Sequence, residues 1–191
     1  MTVRPILHVG DPDLRRPADV VEPSLVTGAE VQGVIDDLVA TMRAAHGAGL
    51  AAPQIGVGLR ICVIEVDHNP RYPYKPPIPL TVLVNPVVTA TSDELFENNE
   101  GCLSVPGLRG GVARHTEVRV TALDRRGEAV EFPVCGLSAG TFQHERDHLD
   151  GVLFLDRLID PASLATWDNF ERFQRPEYLE RVAALIERYG Q

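Results

Sequence analysis

Apolar residues recur along this chain with two different periods, and the switches between them mark the elements. Thr27-Gly28-Ala29-Glu30 has the spacing of a helix capping box, and Val31, Val34, Ile35, Leu38, Val39 and Met42 follow at helical spacing. These predict an amphipathic helix of about 16 residues that ends near His46-Gly47. Leu59 to Val66 is apolar and β-branched, a buried strand with Cys62 as a packed thiol. Leu80 to Val88 is strand-like again, with Pro86 pointing to an edge or a strand end. Glu117 to Leu123 and Glu128 to Val134 alternate with period two around Asp124-Arg125-Arg126-Gly127, which predicts a hairpin. A helix from about Leu137 to Asp150 follows, with Gly151 as its C-terminal cap. Val152 to Leu155 is a short apolar strand. Pro176 sits at the first-turn position of a last helix with Leu179, Val182, Ala183 and Ile186 on one face.

Three stretches break both periods. Pro5 to Ala18 predicts an extended arm with turns at Gly10-Asp11-Pro12, and its His8 is a packed or surface residue. Residues 47–56 are rich in small residues and too broken for a regular element; Gln54 carries the one polar side-chain head there. Residues 68–79 are dense in proline, which excludes an element interior and predicts a long excursion at the rim of a cleft.

The composition narrows the class. At 191 residues, 44% hydrophobic and 24% charged, the chain is expected to form one globular domain, 1–191, with a real core. Its net charge of −9 argues against nucleic-acid binding. No stretch has the length and apolarity of a membrane span, and the first twenty residues lack an apolar leader, so a cytoplasmic location is expected. Cys62, Cys102 and Cys135 are too few and scattered for a disulfide framework, and a reducing compartment suits a thiolate ligand.

The chemistry concentrates in Gln143-His144-Glu145-Arg146-Asp147-His148-Leu149-Asp150-Gly151. His144 and His148 are four apart, so on a helix they share a face and can share one metal ion. Glu145 sits beside the first ligand, in reach of a water on that metal, as a general base. A third ligand is needed. The metzincin extension places a histidine where this chain has Phe154, and no glutamate lies between His148 and Phe170 for a thermolysin-like site. A cysteine flanked as Cys102 is (Glu100-Gly101-Cys102-Leu103-Ser104) is most often a small buried side chain, but the unfilled coordination makes it the better candidate. A Cys-His-His set leaves a fourth position open for water, as a catalytic site requires.

GAGLAAPQ at 47–54, EGCLS at 100–104 and QHERDH at 143–148, in this order and spacing, together resemble the bacterial peptide deformylases. The resemblance spans most of the chain, from DPDLRR at 11–16 to DHLDGVLFLDRL at 147–158. It implies an α+β fold with antiparallel sheets packed around a central metal-binding helix, an N-terminal amphipathic helix and a C-terminal helix. It implies hydrolysis of the N-formyl group from the initiator methionine of new polypeptides, which would make N-formylmethionyl peptides and ribosomal nascent chains the partners. By the motif match, Cys102, His144 and His148 hold one divalent metal, Fe²⁺ in the cell with Zn²⁺, Ni²⁺ or Co²⁺ able to substitute, and Glu145 is the acid/base. Gln54 and the backbone N–H of Leu103 would stabilise the oxyanion, with Gly49 against the substrate backbone.

The same resemblance predicts an ion-pair network of Arg114 with Glu100, Asp147 or both, orienting the ligands. It also exposes a departure. Ala48, Asn98, Gly140 and Thr141 fall where the family lines its methionine pocket with larger apolar residues, so a wider or wetter pocket is expected unless Phe142 or a tyrosine from 71–79 refills it. Two alternatives stay open: a hydrolase of the same fold acting on another N-acyl group or formamide, and a non-catalytic metal-binding or ribosome-associated protein. Docking on the ribosome through the last helix is not supported by charge, since Glu177, Glu180 and Glu187 offset Arg175, Arg181 and Arg188.

Overall fold

Two antiparallel sheets meet on either side of one helix in the computed structural model, which describes residues 1–67 and 74–189. The strands are β1 (Gly49–Ala51), β2 (Ile61–Val66), β3 (Ile78–Ala90), β4 (Leu95–Cys102), β5 (Val105–His115), β6 (Glu117–Leu123), β7 (Ala129–Cys135) and β8 (Ala165–Thr166). The larger sheet has the order β1-β2-β3-β6-β7 and the smaller β4-β5-β8. The helices are α1 (Ala29–Ala44), α2 (Gly136–Leu149), α3 (Trp167–Asn169) and α4 (Arg175–Tyr189). The expected α+β class and the sheets around a central helix are what the chain adopts.

Side-chain parity explains why the central helix is enclosed. Successive strand residues point to opposite faces, and β2 is apolar at every position from Ile61 to Ile64. Ile61 and Val63 pack with Ile35, Leu38 and Met42 of α1. Cys62 and Ile64 pack with Ala139, Phe142 and Leu149 of α2. The larger sheet is thus covered on both faces, and α2 also touches β5 of the smaller sheet. Each fully buried Leu or Ile at these contacts contributes about 2 kcal/mol.

Helix α2 ends where predicted. Gly151 takes φ +73°, and a Cβ there would lie 2.7 Å from the Arg15 carbonyl carbon, so both the left-handed turn and the close-packed arm require glycine. The arm is tied to the middle of the chain: the Leu7 N–H donates to the Gln54 carbonyl and the Val9 N–H to the Ser104 carbonyl.

Several local expectations need correction. The capping box does not form: α1 starts after Gly28, whose side of the helix has no side-chain cap, and Thr27 stays in the preceding turn. Residues 47–56 are more regular than expected, because Gly49, Leu50 and Ala51 pair with Ile64, Val63 and Cys62 before a 3₁₀ turn, Ala52–Ile55. Pro86 lies within an interior strand, not at an edge. It sits in a register shift between Val84 and Val87, with Asn85 at φ +53°, where its missing N–H costs no ladder bond. Val152 to Leu155 is not a strand; the Asp156 carboxylate accepts from the Leu153 N–H and turns the chain into a 3₁₀ helix, Phe154–Arg157. Although α3 and a π-helical turn, Phe170–Gln174, directly precede it, the last helix, α4, does carry Pro176 in its first turn. There Tyr178 and Val182 are buried, Leu179 and Ile186 pack at the edge of the same cluster, and Ala183 is exposed. Of the proline-dense excursion, 68–73 lie outside the described residues, and β3 already begins at Ile78.

Candidate active site

Helix α2 brings His144 and His148 one turn apart, with ring centroids 4.9 Å from each other. Cys102, the last residue of β4, faces them across the gap between the sheets, its Sγ 3.3 Å from His148 Nε2. One atom from each of the three residues lies within 4.8 Å of the others. A tetrahedral ion with Zn–S and Zn–N bonds of about 2.3 and 2.1 Å separates its sulfur and nitrogen ligands by about 3.5 Å, so this donor set fits one cation. The thiol chosen by elimination is therefore the one the fold brings to the two imidazoles.

The orientation of the first histidine is imposed from behind. Glu100 Oε2 lies 2.8 Å from His144 Nδ1, which leaves Nε2 to face the thiol and His148. Arg114 holds Glu100 through both oxygens and also reaches Asp147. Arg157 closes the network from the far side with two bonds to Asp147. Arg114, Glu100 and Asp147 are all buried, so Arg114 meets both carboxylates in a low-dielectric setting, while the exposed Arg157 reaches Asp147 from the surface. Burial pushes the Glu100 carboxyl up, but the Arg114 charge and hydrogen bonds override it and hold the group well below the usual carboxylate range. Burial likewise raises the Cys102 thiol, yet His148 and His144 outweigh it and keep the group well below the ordinary thiol range. A thiolate is the form a metal binds.

Glu145 and Gln54 converge on the same spot. Glu145 is buried and its Oε2 has no hydrogen-bond partner among the described residues. Burial raises its carboxyl above the usual range, against the pull of the two histidines. Gln54 is fixed in one orientation: the Ala51 N–H donates to Oε1 at 2.8 Å, which turns the NH₂ end toward Ser104 Oγ (3.0 Å) and Cys102 Sγ (3.6 Å). Gly49 is pressed against Glu145, and a Cβ there would lie 2.6 Å from the carboxyl carbon. Its bareness serves the glutamate at least as directly as any ligand.

One cavity is lined by Gly49, Gln54, Leu103, His144 and Glu145 together with Ala48, Asn98, Gly140 and Thr141. Of the refilling residues anticipated from the sequence, Phe142 and Tyr74 stand elsewhere. Phe142 packs edge-on against Phe132, and Tyr74 against Tyr178. Tyr72 lies outside the described residues. Instead, Asn98 fills the space at Gly140, with its Nδ2 at 2.8 Å from where a Cβ would stand. The sequence reading missed Lys75, Trp167 and Arg157. Nothing local marked them: they come from a turn, from α3 and from a 3₁₀ helix, and only the fold assembles them.

A histidine-glutamate helix that shares a cation with a strand-borne thiol, next to a desolvated carboxyl, defines a metal-dependent hydrolase. The chain belongs to the peptide deformylase family: the family model for polypeptide deformylases matches residues 3–163. The chain is 49% identical over 172 residues to peptide deformylase 1 of Prochlorococcus marinus, an alignment covering 90% of this chain and 88% of that one. It is 44% identical over 158 residues to peptide deformylase 1 of Nitrosomonas europaea, covering 83% and 89%. Among solved structures, the Met-Ala-Ser-bound class I type b peptide deformylase of Acinetobacter baumannii superposes with a TM-score of 0.79 at 38% identity, over 82% of this chain and 99% of that one. A peptide deformylase from Legionella pneumophila gives 0.74 at 39%, over 91% and 98%.

Proposed function

We propose that this protein, as one catalytic domain, hydrolyses the N-formyl group from the N-terminal methionine of newly made polypeptides and releases formate. The carrying observation is the convergence of the Gln54 amide and the Glu145 carboxyl on the Cys102, His144 and His148 group. A purely structural metal site needs neither of them. A bound metal supplies Lewis acidity and a water acidified toward neutral pH. Glu145 takes a proton from the attacking water as its oxygen bonds to the formyl carbon. The Gln54 N–H, held by Ala51, donates to the carbonyl oxygen as that oxygen becomes negative, together with the backbone N–H of Leu103. Glu145 then returns the proton to the amine nitrogen as the C–N bond breaks, leaving formate and a free N-terminus.

Fe²⁺ is our reading for the cellular metal, with Zn²⁺ or Ni²⁺ as substitutes; one thiolate and two imidazoles accept all of them. A reducing cytosol suits the thiolate, and no described helix is long and apolar enough to cross a membrane. Nascent chains are the expected substrates, but α4 offers no support for ribosome docking. Its Arg181 pairs with Glu177 and Glu97, and its Arg188 with Glu94.

The test is the appearance of the free N-terminal amine, with formate from formyl-Met-Ala-Ser and acetate from acetyl-Met-Ala-Ser, in Fe²⁺-loaded protein kept free of oxygen. Rapid release from the formyl peptide alone is expected. Preference for the acetyl peptide, or for a small formamide, would replace this reading with another N-acyl hydrolase.

A further inference from the structure

The N-terminal arm reaches the site through its backbone. Its two ends are anchored on different helices. The Thr2 N–H donates to Asp37 Oδ1 at 2.7 Å and the Arg4 N–H to Thr41 Oγ1 at 2.9 Å, both on α1. The Ala18 N–H donates to the Leu149 carbonyl at 2.8 Å, at the end of α2. Between these anchors, two N–H groups two residues apart turn to the site: Leu7 donates to the Gln54 carbonyl at 2.8 Å and Val9 to the Ser104 carbonyl at 2.7 Å. Gln54 and Ser104 are buried, whereas Val9 is 45% exposed, so a backbone bond and not apolar packing fixes that contact.

Gln54 and Ser104 come from different sheets. Gln54 lies in the 3₁₀ turn after β1, and Ser104 lies in the connection between β4 and β5. One side-chain bond spans the gap between them, from Gln54 Nε2 to Ser104 Oγ at 3.0 Å. The arm ties the same two residues together by their main chains. Gln54 is therefore held at three points: its Oε1 by Ala51, its backbone by Leu7, and its Nε2 by a serine that Val9 fixes. A donor that serves an oxyanion must stand in place before the charge forms, and an error near 1 Å costs about 10²-fold in rate.

We propose, on the basis of the deformylase reading above, that the N-terminal arm is a strap that positions the Gln54 amide for turnover. Leu7 and Val9 are its positioning residues, and they act through their backbone N–H groups.

The turn at Val9 allows one N–H to be removed alone. The His8 carbonyl accepts from the Asp11 N–H at 3.0 Å, and Gly10, the third residue of this turn, takes φ +105°. Proline is favoured at the second position of such a turn, so Val9→Pro keeps the path of the chain and deletes the donor. Val9→Ala trims the exposed side chain and keeps the N–H. With Fe²⁺-loaded protein and formyl-Met-Ala-Ser, Val9→Pro should lower kcat about tenfold and hold KM within about twofold, while Val9→Ala matches the wild type. Metal content should be unchanged, since neither arm N–H donates to a metal-binding residue. In a Gln54→Ala background the same proline should cost no more than about twofold, because the amide it positions is gone.

An unchanged kcat, a fall in metal content, or equal losses with and without Gln54 would overturn the strap and leave the deformylase reading intact. A wild-type protein that releases no formate overturns the deformylase reading itself. If Val9→Pro fails to fold by circular dichroism, Leu7→Pro, which removes the other N–H, is carried through the same cycle and decides. Failure of both to fold would show that the arm serves stability alone, which also overturns the strap.

Discussion

Arg114 grips Glu100 in a fork, Nε to Oε1 at 2.7 Å and Nη2 to Oε2 at 2.9 Å, while its third nitrogen reaches Asp147 at 2.6 Å. Glu100 in turn orients His144. Replacing Arg114 with methionine leaves Glu100 buried without its cation, although Arg157 still serves Asp147. We expect a loss of about 10–100-fold in metal affinity and about 3–5 kcal/mol of stability. Chelator competition and urea unfolding measure the two. An unchanged metal affinity would mean that the fork is ornamental to the site.

Gln54 should behave as a donor that matters only as the reaction proceeds. Gln54→Ala is expected to lower kcat by about 10²–10³ with little change in KM. The metal content should hold, because Cys102 Sγ keeps the Ser104 N–H as a donor at 3.4 Å when the Gln54 contact at 3.6 Å is lost. A rise in KM alone would move Gln54 from turnover to ground-state binding.

Gly49 tests the position of Glu145. Gly49→Ala puts a methyl group 2.6 Å from the Glu145 carboxyl carbon and 2.8 Å from its Cγ, so the carboxylate must move. A displacement near 1 Å is enough to cost about 10²-fold in rate, with metal binding retained because the three atoms nearest the new methyl all belong to Glu145, which is no metal ligand. Steady-state kinetics beside metal analysis would show the split. Normal turnover would disprove the tight coupling of these two residues.

Metal removal should destabilise the protein, since the folded chain gathers three donors that an unfolded chain scatters. With metal at about 1,000 times its Kd, the stabilisation is about 4 kcal/mol. A chelator should lower Tm for the wild type and leave Cys102→Ser, already weak in metal, almost unmoved. Equal shifts in both proteins would show that Cys102 is no ligand.

The histidine spacing, the acid beside it and the periods of α1, α2, β2 and the β6–β7 hairpin were legible along the chain. Each is a relation between residues within a few positions, and the local geometry of a helix or strand converts it directly into a shared face. The long β4–β5 pairing was not legible, because Asn99, Glu100 and Gly111 read as polar or flexible until the opposite strand and Arg114 satisfy them. Pro86 misled for a related reason: only its neighbours in the sheet reveal the register shift that absorbs it.

The sequence alone determined which groups would meet a metal and, through three motifs, which family they belong to. Tertiary structure decided what surrounds them. Arg157, Lys75 and Tyr178 reach the site or its supports from distant turns and helices, through contacts with Asp147, Thr141 and Asn98. Such contacts depend on the packing of whole elements, and a chain read in order carries no local period that encodes them.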